Sequence, residues 1–99
     1  MLGWSTVAIA GDSMVPAARP GDWWVMRQGA RVRPGDLVAL WHPDRTDLLV
    51  VKRAVELRGT GWWVLGDNPK RSDDSRAFGA VPADQIVGVL RFRYRRARA

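Results

Sequence analysis

The chain has 99 residues, a formal net charge of +6, one histidine and no cysteine. The length supports one domain around one core, and a hydrophobic content of 46% is enough to fill it. Without cysteine there is no disulfide, thiolate nucleophile or zinc–thiolate site. With His42 as the lone imidazole, neither a transition-metal site nor a cofactor is expected. No apolar run is long enough for a membrane span, and Met1–Ala10 lacks the basic and apolar regions of a signal peptide. A cytoplasmic protein with no transmembrane span is the expectation, with Met1 taken as the start.

Gly and Pro recur at short intervals, and the runs between them are rich in Val, Ile, Leu and Trp. This pattern predicts strands at Trp4–Ala10, Asp22–Arg27, Asp36–Trp41, Leu48–Leu57, Gly61–Leu65 and Gln85–Arg93. The fold class is therefore all-β, a compact barrel-like sandwich of short strands in a single domain over residues 1–99. Helical turns are expected only at Ser13–Ala18 and Pro82–Gln85.

In chain order, the first strand runs into Gly11-Asp12-Ser13-Met14-Val15-Pro16, a common turn composition that carries no chemistry by itself. Pro20-Gly21-Asp22 and Pro34-Gly35-Asp36 each open a strand, and Pro-Gly turn chemistry explains the echo without a duplication. His42 follows the third strand in Leu40-Trp41-His42-Pro43-Asp44, with no serine-bearing turn beside it. It reads as a satisfied or solvated turn histidine, not as the base of a Ser-His-Asp triad.

The fourth strand carries the unusual residue. Lys52 lies inside Leu49-Val50-Val51-Lys52-Arg53-Ala54-Val55, sharing a face with Val50 and Ala54, while Arg53 shares the other with Val51 and Val55. One of these two cations must point toward what the strand buries. A buried lysine favours its neutral amine, which is the proton acceptor a serine nucleophile needs when no histidine serves.

Trp23-Trp24 and Trp62-Trp63 each place one indole outward, as a groove or membrane contact or as packing under a hairpin. The polar stretch Gly66 to Arg76 lets Ser72 and Asp74 face one side, with Arg76 two residues on. A hydroxyl there could orient the lysine amine, and an Asp/Arg pair could pin the loop. Arg91, Arg93, Arg95, Arg96 and Arg98 give a basic tail over 91–99, read as a solvated terminus.

In order, these segments resemble the signal peptidase I family of Ser/Lys proteases. The nucleophile box is matched by Gly11-Asp12-Ser13-Met14-Val15-Pro16 and the lysine box by Val51-Lys52-Arg53-Ala54-Val55. The last box is matched by Gly66-Asp67-Asn68 with Ser72, Asp74, Ser75, Arg76 and Gly79, so the resemblance runs from about Ile9 to Leu90. It implies a signal-peptidase/LexA-like β-fold with Ser13 as nucleophile and Lys52 as general base. It further implies that Ser72 hydrogen-bonds the lysine, that Asp74 and Arg76 form an ion pair, and that the Ser13 N–H is an oxyanion donor. Some members add a serine hydroxyl two residues before the nucleophile; here that position is Gly11. The substrate, a precursor protein, would add as a strand between Val7–Ala10 and the Lys52 strand. Ile9, Ala10, Gly11, Met14 and Val51 would contact it, with Ile9, Met14 and Val51 forming a shallow pocket for a small residue.

LexA-type self-cleaving repressors share the Ser/Lys fold but lack the last box, and the ten residues before Gly11 leave no room for their cleavage segment and DNA-binding domain. That branch is not expected. A minimal, span-free version of the family resembles the nickel-type superoxide dismutase maturation proteases of bacteria. The resemblance implies that the chain removes an N-terminal extension from the dismutase precursor and itself needs no metal. Two alternatives stand beside this reading. One is a short or truncated type I signal peptidase that cleaves secretory precursors and uses its Trp and Arg residues as a peripheral membrane contact. The other is a basic β-barrel that binds nucleic acid. The latter leaves Lys52 and the Ser72/Asp74/Arg76 spacing unexplained, and no nucleic-acid partner is expected.

Overall fold

The computed structural model describes residues 3–45, 47–71 and 73–96. Seven strands make one antiparallel sheet: β1 (Gly3–Ala8), β2 (Trp23–Gln28), β3 (Leu37–Trp41), β4 (Leu49–Arg58), β5 (Gly61–Leu65), β6 (Val81–Pro82) and β7 (Ile86–Arg95). Their spatial order is β1-β2-β7-β3-β4-β5-β6. A four-residue helix, α1 (Ser75–Phe78), and 3-10 turns at Pro69–Arg71 and Ala83–Gln85 fill the connection from β5 to β7. The class is all-β, as the sequence pattern requires. Among the described residues no helix is long and apolar enough to cross a membrane.

The sheet coils so that both faces are covered, and β3 at its centre explains how. Leu37, Val38, Ala39 and Leu40 are all buried. Alternation sends Leu37 and Ala39 into a cluster with Val7, Ile9, Met14 and Met26, and Val38 and Leu40 into a second cluster with Ala54, Val64 and Val89. An uninterrupted apolar run is what a strand buried on both faces needs. The crossing of β2 with β7 is close. A Cβ at Gly88 would meet the Arg27 carbonyl oxygen at 2.6 Å and Met26 Cγ at 2.7 Å, so only glycine fits there.

The two Pro-Gly-Asp sequences fold into the same turn. Asp22 and Asp36 return their backbone N–H to the carbonyls of Arg19 and Arg33, both at 3.0 Å. Their carboxylates accept the N–H of the same arginines, both at 2.9 Å. Gly21 and Gly35 supply the positive φ, 88° and 96°.

Ser13–Ala18 forms the single helical turn expected of it, with Val15 N–H bonded to the Asp12 carbonyl and Ala18 N–H to the Met14 carbonyl. Two expectations shift. A short helix lies at Ser75–Phe78, where Asp74 provides an N-cap inside what read as polar loop. β7 runs two residues past the expected end at Arg93, so Arg95 too belongs to a strand and not to a free tail, and Arg93 lies 3.5 Å from the buried carboxylate of Asp22. Of the tryptophan pairs, Trp23 is exposed and Trp62 buried; Trp63 is half-buried, with the Arg58 guanidinium 3.8 Å above its ring.

Candidate active site

Lys52 sits mid-strand in β4, paired with Val38 of β3 and flanked on its own face by Val50 and Ala54. That face is apolar, and Lys52 is only 4% exposed. Its neighbour Arg53 takes the other side, donating to Asp67 at 3.2 and 2.6 Å and to the Gly35 carbonyl at 2.8 Å. Of the two cations in this strand, the lysine is therefore the buried one. Burial pushes its amine below the ordinary lysine range of 10.5, while the carboxylates of Asp74 and Asp73 pull the other way.

Ser13 reaches this amine from the turn after β1. Its Oγ lies 2.9 Å from Lys52 Nζ, a hydrogen-bond distance. Three anchors hold the turn. Ile9 continues beyond β1, exchanging backbone bonds at 2.9 Å with Asp22 and Gly21. Met14, 1% exposed, is plugged into the first core cluster and its sulfur accepts the Asp67 N–H at 3.4 Å. Asn68 bonds to the Ser13 carbonyl through its backbone and to the Asp12 carbonyl through its side chain, at 2.8 and 3.1 Å. Gly11 opens the turn with φ 76°, a backbone setting that glycine adopts without strain.

The loop from Gly66 to Arg76 closes the site. Asp74 is 1% exposed and collects the Gly66 N–H at 2.9 Å, the Arg76 N–H at 3.1 Å, and the Arg76 guanidinium at 3.0 and 2.6 Å. The buried Ser75 hydroxyl accepts the Val64 N–H at 2.8 Å. Ser72, expected to orient the lysine, lies outside the described residues.

A groove of about 190 Å³ runs past the dyad. It is lined by Ile9, Ala10, Gly11, Asp12, Ser13 and Met14 on one side, by Val50, Val51 and Lys52 on the other, and by Arg71 and Asp73. All five residues expected to contact substrate are on its walls. Ala10 and Gly11 lie beyond β1, which is the edge strand of the sheet, so an extended peptide has backbone available to pair with.

Two features were not legible in the sequence. Arg53 and Asp67 form a bidentate ion pair across the β4–β5 hairpin; the loop composition offers many acids and no local rule selects Asp67. Of the two readings of His42, satisfied or solvated, the satisfied one holds: it is buried, with Nδ1 accepting the Asp44 N–H and Nε2 2.7 Å from Asp73 Oδ2, and it is the identity of that acid that the sequence did not show. Burial next to Phe78, whose ring centroid is 5.1 Å away, could not be foreseen before α1 was placed.

An all-β chain with a serine hydroxyl on a buried lysine amine has the parts of a Ser/Lys peptidase. Comparison with known proteins points the same way. Residues 58–95 match the family model for signal peptidase, peptidase S26. Signal peptidase IB of Staphylococcus aureus, from strains Mu50 and N315 alike, is 61% identical over 31 residues, which is 31% of this chain and 16% of that protein. The LexA repressor of Acidothermus cellulolyticus is 33% identical over 90 residues, covering 84% of this chain and 29% of the repressor. The chain thus spans 16% to 29% of the length of these curated relatives. The similarity is to signal peptidases and to a LexA repressor, over part of each.

Proposed function

We propose that the chain is a serine endopeptidase in which Ser13 is the nucleophile and Lys52 the general base. The observation that carries this is the 2.9 Å contact between Ser13 Oγ and a Lys52 amine that burial drives toward its neutral form. The Ser13 hydroxyl gives its proton to Nζ as Oγ bonds to the carbonyl carbon of the substrate, and the negative charge moves to the carbonyl oxygen, toward the Ser13 N–H. Collapse of the tetrahedral adduct breaks the C–N bond, and the leaving amine takes the proton back from the Lys52 ammonium. Water then repeats the sequence on the acyl-serine, with Lys52 again accepting the proton. Asp74, paired with Arg76, holds the loop beside the base, and Ser72 is proposed to complete the orientation of the amine.

The substrate proposed is the precursor of a nickel-type superoxide dismutase, processed in the cytoplasm by removal of its N-terminal extension. The three boxes, the 38-residue family match and a groove with a free edge beside it support a peptidase of this kind, and the dismutase precursor is proposed from the resemblance to the small, span-free members of the family. Incubating purified protein with the dismutase precursor and reading product masses tests it. One cut that releases the extension, absent with Ser13→Ala, supports both chemistry and substrate. Cleavage of secretory precursors alone moves the assignment to a signal peptidase.

A second reading, self-processing, is favoured by the 90-residue match to a LexA repressor. It predicts a first-order mass change of the chain incubated alone, at a rate independent of its concentration.

A further inference from the structure

His42 has no part in the mechanism above, yet it is buried, fully partnered and directed at the site. Its two ring nitrogens have fixed roles. Nδ1 accepts the Asp44 backbone N–H at 3.1 Å, so it carries a lone pair, and the proton must sit on Nε2. Nε2 therefore donates to Asp73 Oδ2 at 2.7 Å. The third contact is the Phe78 ring of α1, 5.1 Å away with an interplanar angle of 67°. Held by the turn after β3, by α1 and by Asp73, the imidazole is 4% exposed. The Asp73 side chain is the opposite case, at 63% exposed. A carboxylate in that much water has no reason of its own to keep one rotamer. One of its oxygens is nonetheless bound by a rigid donor, and the residue forms part of the groove wall with Ser13, Lys52 and Arg71.

We propose that His42 is a positioning residue whose Nε2–H fixes the Asp73 carboxylate at the wall of the groove beside Lys52. The inference rests on the reading of Ser13 and Lys52 as the dyad only for its consequence; the arrangement itself does not depend on that reading. The consequence follows from the charges that face the amine. Asp74 and Asp73 both favour its protonated form, against the desolvation that opposes it. Asp74 is locked by Gly66 and Arg76. Asp73 is locked by His42, so the imidazole sets how much of the second negative charge Lys52 meets. Asp44 and Arg45 lie on the turn that holds the ring, and Arg71 on the groove wall; none of these replaces the Nε2–H donor to Asp73.

The test reads Lys52 directly. The chain has two lysines, Lys52 and Lys70, so the side-chain carbon titration of each is resolvable by NMR. Asp73→Asn removes the charge but keeps an acceptor for Nε2–H, and the Lys52 midpoint moves to lower pH. His42→Phe keeps the ring packing and loses the donor. The carboxylate is then free to turn into water, and the midpoint again moves lower. His42→Gln restores an N–H donor, and its midpoint returns toward that of the wild type. In the Asp73→Asn background His42→Phe adds little, because its route to Lys52 is already gone. A His42→Phe midpoint equal to the wild type, or a shift of the same size in both backgrounds, overturns the proposal.

If His42→Phe does not fold, the nitrogen spectrum of the single imidazole decides. The Nε2–H tautomer at neutral pH, with an Nε2–H resonance that Asp73→Ala shifts as its acceptor is lost, supports the assignment; the Nδ1–H tautomer in the wild type, or an Nε2–H resonance that Asp73→Ala leaves unmoved, overturns it. A wild type that cleaves no peptide counts against the peptidase reading alone and leaves these titrations interpretable.

Discussion

Asn68 holds Ser13 from behind: its backbone N–H donates to the Ser13 carbonyl at 2.8 Å, and its side-chain amide reaches the Asp12 carbonyl at 3.1 Å. The polar loop after β5 thereby grips the turn after β1, although the two are more than fifty residues apart in the chain. Asn68→Ala keeps the backbone bond and loses the amide. The expected result is a loss of about 0.5–1 kcal/mol in stability and a larger loss in turnover, about threefold to tenfold, because small displacements of a nucleophile are costly. Steady-state cleavage beside thermal unfolding checks this; equal proportional losses would place Asn68 in the fold and not in the site.

Ser13→Ala and Lys52→Met should each remove cleavage by about a thousandfold or more while the fold persists, since nucleophile and base act as a unit. The two substitutions together should cost no more than either alone. Lys52→Met should also stabilise the chain, by about 1–2 kcal/mol at neutral pH, because it replaces a desolvated amine with an apolar side chain among Val50, Ala54 and Val38. The sign with pH follows from linkage. The folded amine titrates below 10.5, so between its lowered value and 10.5 the unfolded chain binds the extra proton and stability rises with pH. The advantage of Lys52→Met is therefore greatest at low pH and shrinks as pH rises through that window. Denaturant melts of both proteins across pH measure it; a constant difference would mean that Lys52 is not desolvated.

The rate of peptide cleavage should rise with pH along a single limb whose midpoint lies below the ordinary lysine value, because only the neutral amine takes the Ser13 proton. Initial rates over a broad pH range, with unfolding followed in parallel, provide the check. A rate that peaks in acid and falls toward neutral pH excludes a lysine base.

Much of this site was legible in the sequence because its signals are local. Two adjacent cations inside an apolar run cannot both face outward, and alternation placed Lys52 with Val50 and Ala54 and Arg53 with Val51 and Val55. Pro-Gly-Asp fixed two turns through the φ of Gly21 and Gly35 and the reach of an aspartate back to the preceding turn. The rest was hidden because it is decided across the fold. Arg53 chooses Asp67 only because β4 and β5 pair with a register shift that brings Leu65 opposite Arg53. His42 and Asp73 meet only because α1 forms, and α1 forms on a cap that resembles loop composition. The extension of β7 beyond Arg93 to Arg95 escaped for a similar reason. Arginine at strand positions reads as a polar terminus, but pairing with β2 up to Trp23 carries the strand on.

Asp74 is where stability and the site meet. Its buried carboxylate caps α1 through the Arg76 N–H, ties the start of the loop through the Gly66 N–H, and takes the Arg76 guanidinium at 2.6 Å. Removing it strands a buried backbone donor and a helix cap together, and each of those losses costs about 1–2 kcal/mol. Asp74→Ala should therefore lower Tm by more than about 8 °C. Asp74→Asn, which keeps one acceptor oxygen, should lie between it and the wild type. Arg76→Ala leaves this buried carboxylate without its guanidinium, so it should also lower Tm, by less than Asp74→Ala because the two backbone N–H bonds to Asp74 remain. Cleavage measured well below the melting temperature separates the two roles. If Asp74 also holds the loop that grips Ser13, Asp74→Asn loses turnover even where it is fully folded, whereas full activity there would reduce Asp74 to a helix cap.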